Sequence, residues 1–330
     1  MRVLAGDIGG TKTAIATVDI DRTACRVLRL VRYPSADYPG LEEIVEEFLA
    51  DESTRPRAAG FGVAGPVREG VAKVTKLPWR LETRTLARRT RIPRVVLVND
   101  FQAAAAGISY LRPRQLATLV PGRAEPGGTV AILGAGTGLG QAGIVRTRER
   151  VVVVASEGGH VDFGPRTPDE DGLVVFLRRR FGRATRDRIL SGGGLALIYE
   201  YLRSRHAAPE TAAVAAALQQ EDPAAVVSRF GLSRRDRLSR LALEMFVSIY
   251  ASETGNLALQ YRATGGVYVG GGIAPRILPE LKRPGFRRAF HAKPPMEDLL
   301  SRIPVRAVMD WRLGLFGAAA SVITELRRLR

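Results

Sequence analysis

The sequence predicts an α/β fold built as two lobes. Segments with strand character alternate with segments of helical period along most of its 330 residues, the arrangement that favours a sheet covered by helices. A strand, a glycine-rich turn and a second strand occur in Arg2–Asp19 and again in Thr129–Val145. That internal likeness implies a duplicated architecture with a cleft between the copies, and the length is sufficient for two domains.

Arg2-Val-Leu-Ala-Gly-Asp7-Ile-Gly9-Gly10-Thr11-Lys12-Thr13 opens the chain, with apolar runs on both sides of Gly9-Gly10. It reads as a tight hairpin whose glycines accept the positive φ of such turns. Backbone N–H groups of a turn like this can face an anion, and a carboxylate at Asp7 suits a nucleotide arriving with Mg²⁺. An ordinary hairpin is the competing reading. A P-loop is excluded, because Gly10 is followed by Thr11 and a second strand. Arg26–Tyr33 is expected as a third strand, Leu41–Leu49 as a helix with acidic residues outward, and Ala58–Val63 as a strand. Arg94–Val98 is a Val-rich strand, Phe101–Tyr110 an Ala-rich helix, and 113–128 a Pro- and Gly-rich boundary.

The second copy runs from Thr129 through Gly134, Gly136, Thr137, Gly138 and Gly140 to Val145. A dinucleotide fingerprint fails there, because Leu139 and Gln141 stand where its last glycine is required. A long apolar helix from Leu241 to about Tyr261 leads into a third glycine-rich strand end, Gly266 to Gly270-Gly271-Gly272. Glycines there allow close approach of a flat ring or ribose, and a plain strand-to-loop turn fits equally. Leu313–Leu329 is an amphipathic helix expected to return to the first lobe.

Two further segments carry chemistry. Asp100 follows Val95–Val98, at the carboxyl end of an expected parallel strand, where α/β folds place ligands. It can take a proton from a hydroxyl, with Asn99 beside it to hold the substrate; the alternative is that Asp100 merely caps the following helix. In Ser156-Glu157-Gly158-Gly159-His160, glycines hold a carboxylate and an imidazole that can bind vicinal hydroxyls as acceptor and donor. The same pair lacks the further ligands of a metal site.

Composition narrows the functional class. Hydrophobic residues make up 45% and charged residues 25%, as in a folded globular protein, and no run is long enough to span a membrane. The net charge of +17 comes from arginines clustered in 84–94, 178–188, 234–240 and 327–330. With aromatics at only 6%, these read as solvated helix faces, which raise the local concentration of an anion such as ATP, and not as a nucleic-acid surface. The single Cys25 forms no internal disulfide and fits a reducing cytoplasm. The N-terminus has Arg2 and then a glycine turn, unlike a signal peptide.

Gly6-Asp-Ile-Gly-Gly-Thr-Lys12, Val98-Asn-Asp-Phe101, Gly134-Ala-Gly-Thr-Gly-Leu-Gly140, Glu157-Gly-Gly-His-Val-Asp-Phe163, Leu190-Ser-Gly-Gly-Gly-Leu195 and Gly270-Gly-Gly-Ile-Ala-Pro275 lie in one order across nearly the whole chain. In that order and spacing they resemble the bacterial glucokinase family of the hexokinase/actin-like ATPase superfamily. The resemblance implies an actin-like (ribonuclease H-like) two-lobed fold, with ATP and glucose in the cleft and frequent homodimers. Its small domain would span 1–110 with about 303–330, and its large domain 111–302. Asp100 would be the general base, and Asn99, Glu157 and His160 would bind sugar hydroxyls. Asp7, Gly9, Gly10, Thr11, Lys12, Gly136, Thr137 and Gly138 would serve the phosphates, with Asp7 reaching Mg²⁺ through water and Gly270, Gly271 and Gly272 near adenosine.

Two positions depart from the family pattern. Asp187 stands where Glu is usual as a further sugar ligand, and Lys76 where Asn is usual. The expected activity is ATP-dependent phosphorylation of glucose at its 6-hydroxyl. Three alternatives remain open: a kinase for mannose, fructose or an amino sugar; a sugar-responsive repressor; and a silent sugar sensor. The repressor reading is disfavoured by the closeness of Asp7 to the first methionine and by the single cysteine.

Overall fold

A computed structural model describes residues 1–52, 55–147 and 151–328. The chain divides into two units, one of Met1–Gln115 with the segment from Asp310 onward, the other of Leu116–Met309.

The first unit is built on a five-stranded sheet ordered Cys25–Pro34, Lys12–Ile20, Arg2–Ile8, Ala58–Val63, Arg94–Asn99. The first three strands pair antiparallel, and the last three run parallel. Side chains alternate across a strand, so Leu4 and Ile8 enter one core with Phe48, Phe61 and Leu86. Val3 and Ala5 enter the other, with Leu315, Ala318 and Ala319 of the helix Leu313–Arg328. Asp7 continues the row of Val3 and Ala5 to the end of the strand. Both cores bury apolar area on either face of the sheet, and this burial is the main force holding the unit.

The helix Leu313–Arg328 lies on Asp100–Gly107 backbone to backbone. A Cβ on Gly317 would land on the Ala103 carbonyl, and one on Gly107 on the Leu313 carbonyl. The helix that begins at Asp100 is therefore seated by contacts only glycine permits.

In the second unit, a six-stranded sheet is ordered Val151–Ser156, Leu139–Arg146, Val130–Ala135, Gly266–Gly270, Val305–Val308, Leu116–Val120. Its first five strands repeat the first sheet in order and direction: an antiparallel trio followed by two parallel additions. The duplication expected from the two hairpins is thus present at the level of topology, and the α/β actin-like class follows from it. The helix Arg237–Gln260 runs through the unit's core, burying Phe246, Tyr250 and Leu257.

Several sequence expectations shift. Leu116–Val120, read as boundary, is a strand paired antiparallel with Val305–Val308. Flanking Pro and Gly hid a short run whose pairing partner lies far along the chain. Because Val305–Val308 belongs to the second sheet, the units meet at 115 and 310, whereas the expected limits were 110 and about 303. The Ala-rich helix ends at Gly107 and gives way to a 3₁₀ turn, Ile108–Tyr110. Arg84, Arg88 and Arg89 are solvated as expected, but Arg186 is turned inward. Residues 329–330 and the side chains of Arg327 and Arg328 lie outside the described residues.

Overpacking a closed interface costs about 1–3 kcal/mol. Gly317→Val is expected to lower stability by at least that much in urea denaturation, and an unchanged midpoint would contradict the seating described above.

Candidate functional site

The turn of the first hairpin is held from a distance. The Ser35 hydroxyl donates to the Gly9 carbonyl at 2.8 Å and lies 3.0 Å from Thr13 Oγ1, while the Ser35 N–H donates to the Thr11 carbonyl at 3.1 Å. Both Ser35 and Thr13 are fully buried. Neither Gly9 nor Gly10 adopts the positive φ expected of them. Gly10 instead admits the Thr75 carbonyl, which a Cβ there would approach to 2.7 Å. Thr11 and Lys12 remain exposed at the tip of the turn.

Asp7 and Asp100 belong to the carboxyl end of one parallel run. Register places Asp7 beside Gly62 and Gly62 beside Val98, so the two carboxylate-bearing segments stand two strand spacings apart, about 10 Å. Gly62 leaves the middle strand bare, with Asp100 Cα 3.6 Å from where its Cβ would be. Asn99 is the helix cap: its side-chain oxygen accepts from the N–H groups of Phe101 and Gln102, and its amide donates to the Gly65 carbonyl at 3.1 Å. The cap reading for Asp100 is thereby filled by its neighbour. Asp100 is half-buried at the first turn, with one carboxylate oxygen accepting from the Phe101 N–H at 2.8 Å.

Asp7 feels both its surroundings and its partner. Burial first, and the Asp100 carboxylate second, push its pKa up to about 6 from 3.8. The first turn of the helix Leu313–Arg328 abuts it, since a Cβ on Gly314 would sit 3.0 Å from the Asp7 carboxyl carbon. Two neighbouring carboxylates suit a divalent cation. Among the described residues, however, no three His, Cys, Asp or Glu side chains gather into a cage. The two carboxylates would fit an ion such as Mg²⁺ only where most of its ligands came from elsewhere.

The second unit carries the corresponding groups. The Gly136 N–H donates to the Gly138 carbonyl at 2.8 Å, closing a turn that leaves Thr137 exposed. The Gly192 N–H donates to the Gly136 carbonyl, which brings the glycine-rich start of the helix Gly192–Ser204 against this turn. Gly272 faces open space, but Gly271 does not: at φ 81° it is pressed onto the Ala135 carbonyl. Gly271 thus has a backbone reason of its own to be glycine. Tyr250 ties these ends together. Its hydroxyl accepts from the Ala135 N–H at 3.1 Å and donates to the Gly270 carbonyl at 3.4 Å.

Glu157 and His160 flank a 3₁₀ turn in which Gly158 abuts the Gln141 amide oxygen and Gly159 the Leu139 carbonyl. Both side chains are exposed, with His160 Nε2 3.9 Å from Glu157 Oε2. Asp187 lies on the short helix Arg186–Ile189, which is joined to the same loop through Arg186 N–H to Val161 carbonyl at 3.1 Å. One Asp187 carboxylate oxygen accepts from the Leu139 N–H at 2.7 Å, just beyond the turn at Gly136–Gly138. That bond commits the shorter side chain to the turn.

A family model for glucokinase matches residues 4–325. The chain belongs to the glucokinase family. The glucokinase of Nostoc punctiforme is 40% identical, over 96% of this chain and 97% of its own. Among solved structures, a glucokinase from an Antarctic psychrotroph superposes with TM-score 0.87 at 28% identity, covering 98% of this chain and 99% of that one. A ROK-family glucokinase from Streptomyces griseus, solved with glucose and AMPPNP, shares the fold at TM-score 0.66 and 24% identity, covering 98% of this chain and all of that one.

The sequence-based reading of this family member missed Ser35 and Tyr250. Each is an ordinary residue locally, and its importance lies in a partner on another element. Lys76, the second departure from the pattern, is exposed at the rim of a groove of about 380 Å³ and adopts φ 69°. Asn tolerates that left-handed region far better than Lys, so the usual residue there has a backbone reason. Lys76→Asn is expected to raise stability by about 1 kcal/mol, read from the denaturation midpoint; no gain would show that the strain is absent.

Asp7 gives a pH-dependent expectation. Its folded pKa is above its unfolded value, so the folded state holds the proton more tightly, and stability falls as pH rises from 3.8 to about 6. Without metal or nucleotide, Asp7→Asn should therefore be more stable than the parent at neutral pH, by up to about 3 kcal/mol. The gain should vanish below about pH 4. Equal thermal midpoints at neutral pH would refute the burden assigned to this carboxylate.

Proposed function

We propose that the chain is a glucokinase in which Asp100 acts as general base for transfer of the γ-phosphoryl group of ATP to the 6-hydroxyl of glucose. The observation that carries this reading is the pairing of Asp7 and Asp100 at the carboxyl end of one parallel sheet, with Asn99 as the helix cap and one Asp100 oxygen accepting from the Phe101 N–H. The 6-oxygen attacks phosphorus, its proton passes to the Asp100 carboxylate, and the bond from phosphorus to the β-phosphate oxygen breaks. Asn99 orients the sugar beside the base, because its side chain is itself fixed by Gly65 and by the helix N-terminus. General-base assistance of this kind is worth ~10²–10⁴-fold.

The two turns supply backbone donors and hydroxyls to phosphate oxygens: Gly9, Gly10, Thr11 and Lys12 from the first unit, Gly136, Thr137 and Gly138 from the second. Asp7 would hold, through water, the Mg²⁺ that comes with the nucleotide, and the ion would there neutralise charge on the phosphates. Gly270 and Gly272 border adenosine, while Gly271 keeps their loop on Ala135. Glu157 and His160 bind sugar hydroxyls as acceptor and donor, their exposure leaving both free to engage a ligand. Asp187 supports the phosphate turn through Leu139 and approaches the sugar only with its second oxygen. We extend the reading to a cytoplasmic homodimer, on the family resemblance and the single, half-buried Cys25, whose thiol burial pushes up to about 12. No helix among the described residues is long and apolar enough to cross a membrane.

Asp100→Ala is expected to reduce kcat with glucose by ~10²–10⁴-fold while nucleotide affinity, measured by calorimetry, stays within about twofold of the parent. Near-parental turnover would eliminate Asp100 as the base. A panel of mannose, fructose and glucosamine against glucose, compared by kcat/KM, tests the sugar assignment in the same assay.

A further inference from the structure

One buried carboxylate remains unexplained by these roles. Glu253, on the helix Arg237–Gln260, is 4% exposed and accepts three hydrogen bonds: from Arg186 Nη1 at 2.6 Å, Gln141 Nε2 at 2.8 Å and Asn256 Nδ2 at 2.9 Å. Arg186 is itself 15% exposed, the one arginine of its basic stretch drawn into the interior by an ion pair. A buried charge pair contributes little net stability against an apolar replacement, yet breaking one partner is costly, so its retention points to arrangement more than to strength.

Two of these donors, Gln141 and Arg186, lead to the proposed sugar-binding segments. The Gln141 amide oxygen occupies the place a Cβ on Gly158 would take, so this side chain forms the floor under the Glu157–His160 turn. Gln141 is also paired in register with Ser156, the residue before Glu157. Arg186 immediately precedes Asp187, its N–H is bonded to the Val161 carbonyl, and Asp187 holds the Leu139 N–H. Lys293 Nζ donates to Ser252 Oγ at 2.7 Å, and its pKa is lowered by burial and then by Arg166, with Glu253 acting the other way. The charges around Glu253 are thus Arg186 and Lys293, with Arg166 and Glu170 beyond them.

We propose that Glu253 is a positioning residue for glucose: through Gln141 and Arg186 it sets the loop of Glu157 and His160 and the turn of Asp187 as one unit. The inference rests on the sugar-binding role assigned above to Glu157 and His160. Glu253→Gln keeps the volume and an acceptor but removes the charge that holds Arg186. It is expected to raise KM for glucose about tenfold with KM for ATP close to parental, and to lower the thermal midpoint because Arg186 loses its buried partner. Arg186→Met should do the same, Arg186→Lys should restore most of the affinity, and the double variant Glu253→Gln/Arg186→Met should be no worse than either single change. Should Glu253→Gln fail to fold, the contrast between Arg186→Met and Arg186→Lys decides the matter. Unchanged KM for glucose in Arg186→Met and Glu253→Gln, or equal losses for glucose and ATP, would overturn the proposal. Glu157→Gln separates the two levels. If it raises KM for glucose and Glu253→Gln does not, only the positioning role falls; if Glu157→Gln has no effect, the sugar-site reading falls with it.

Discussion

The structure of the first unit depends on how closely two helices can approach. Gly317 and Gly107 let the helix Leu313–Arg328 rest on the backbone of Asp100–Gly107, and Gly60 opens the sheet below to the Ala318 carbonyl. A contact between main chains leaves no side chain to repack, so it fixes relative position more tightly than apolar side chains would. Asp7, Gly314 and Asp100 are set by that contact. The electrostatic strain on Asp7 is a consequence: its half-buried carboxylate is held beside another carboxylate and against a helix start. Strain of this kind marks sites where function, and not stability, governs the choice of residue.

The second unit solves a related problem with hydrogen bonds. There the two strand ends are tied by the Tyr250 hydroxyl, and the loops beyond them by Gln141, Arg186, Asp187 and Glu253. A satisfied buried network specifies a single arrangement, because any displacement leaves a polar group unpaired. Two copies of one sheet topology are therefore rigidified by different means, glycine contact in the first and polar bonding in the second.

What could be read from the sequence follows from the range of each interaction. Alternating apolar residues around Gly9-Gly10 and around Gly136-Thr137-Gly138 disclosed both hairpins, and the run Val95–Val98 disclosed where Asp100 would stand. The same local logic misjudged Gly9 and Gly10, where the constraint is not φ but the passage of Thr75 overhead. Its alternative reading of Asp100 put the cap one residue late, since Asn99 and Asp100 are equally good cap formers until geometry chooses. It took Arg186 for a surface charge because its partner, Glu253, lies 67 residues away. Ser35, Tyr250 and the strand Leu116–Val120 escaped for the same reason: each acquires its role from a partner that pattern and spacing do not reveal.

The helix Leu313–Arg328 completes one face of the first sheet, beside Asp100–Gly107, although it is the last regular element described. During synthesis, about three hundred residues must leave the ribosome before that face can be covered. The second unit, contiguous from Leu116 to Met309, is complete earlier. The nascent protein therefore holds the strands of the first sheet with one apolar side incompletely covered until Leu313–Arg328 has been made, and Asp7 and Asp100 come under their final constraint only then. The apolar surface exposed longest on such a growing chain belongs to strands made before the second unit, not to the part most recently made.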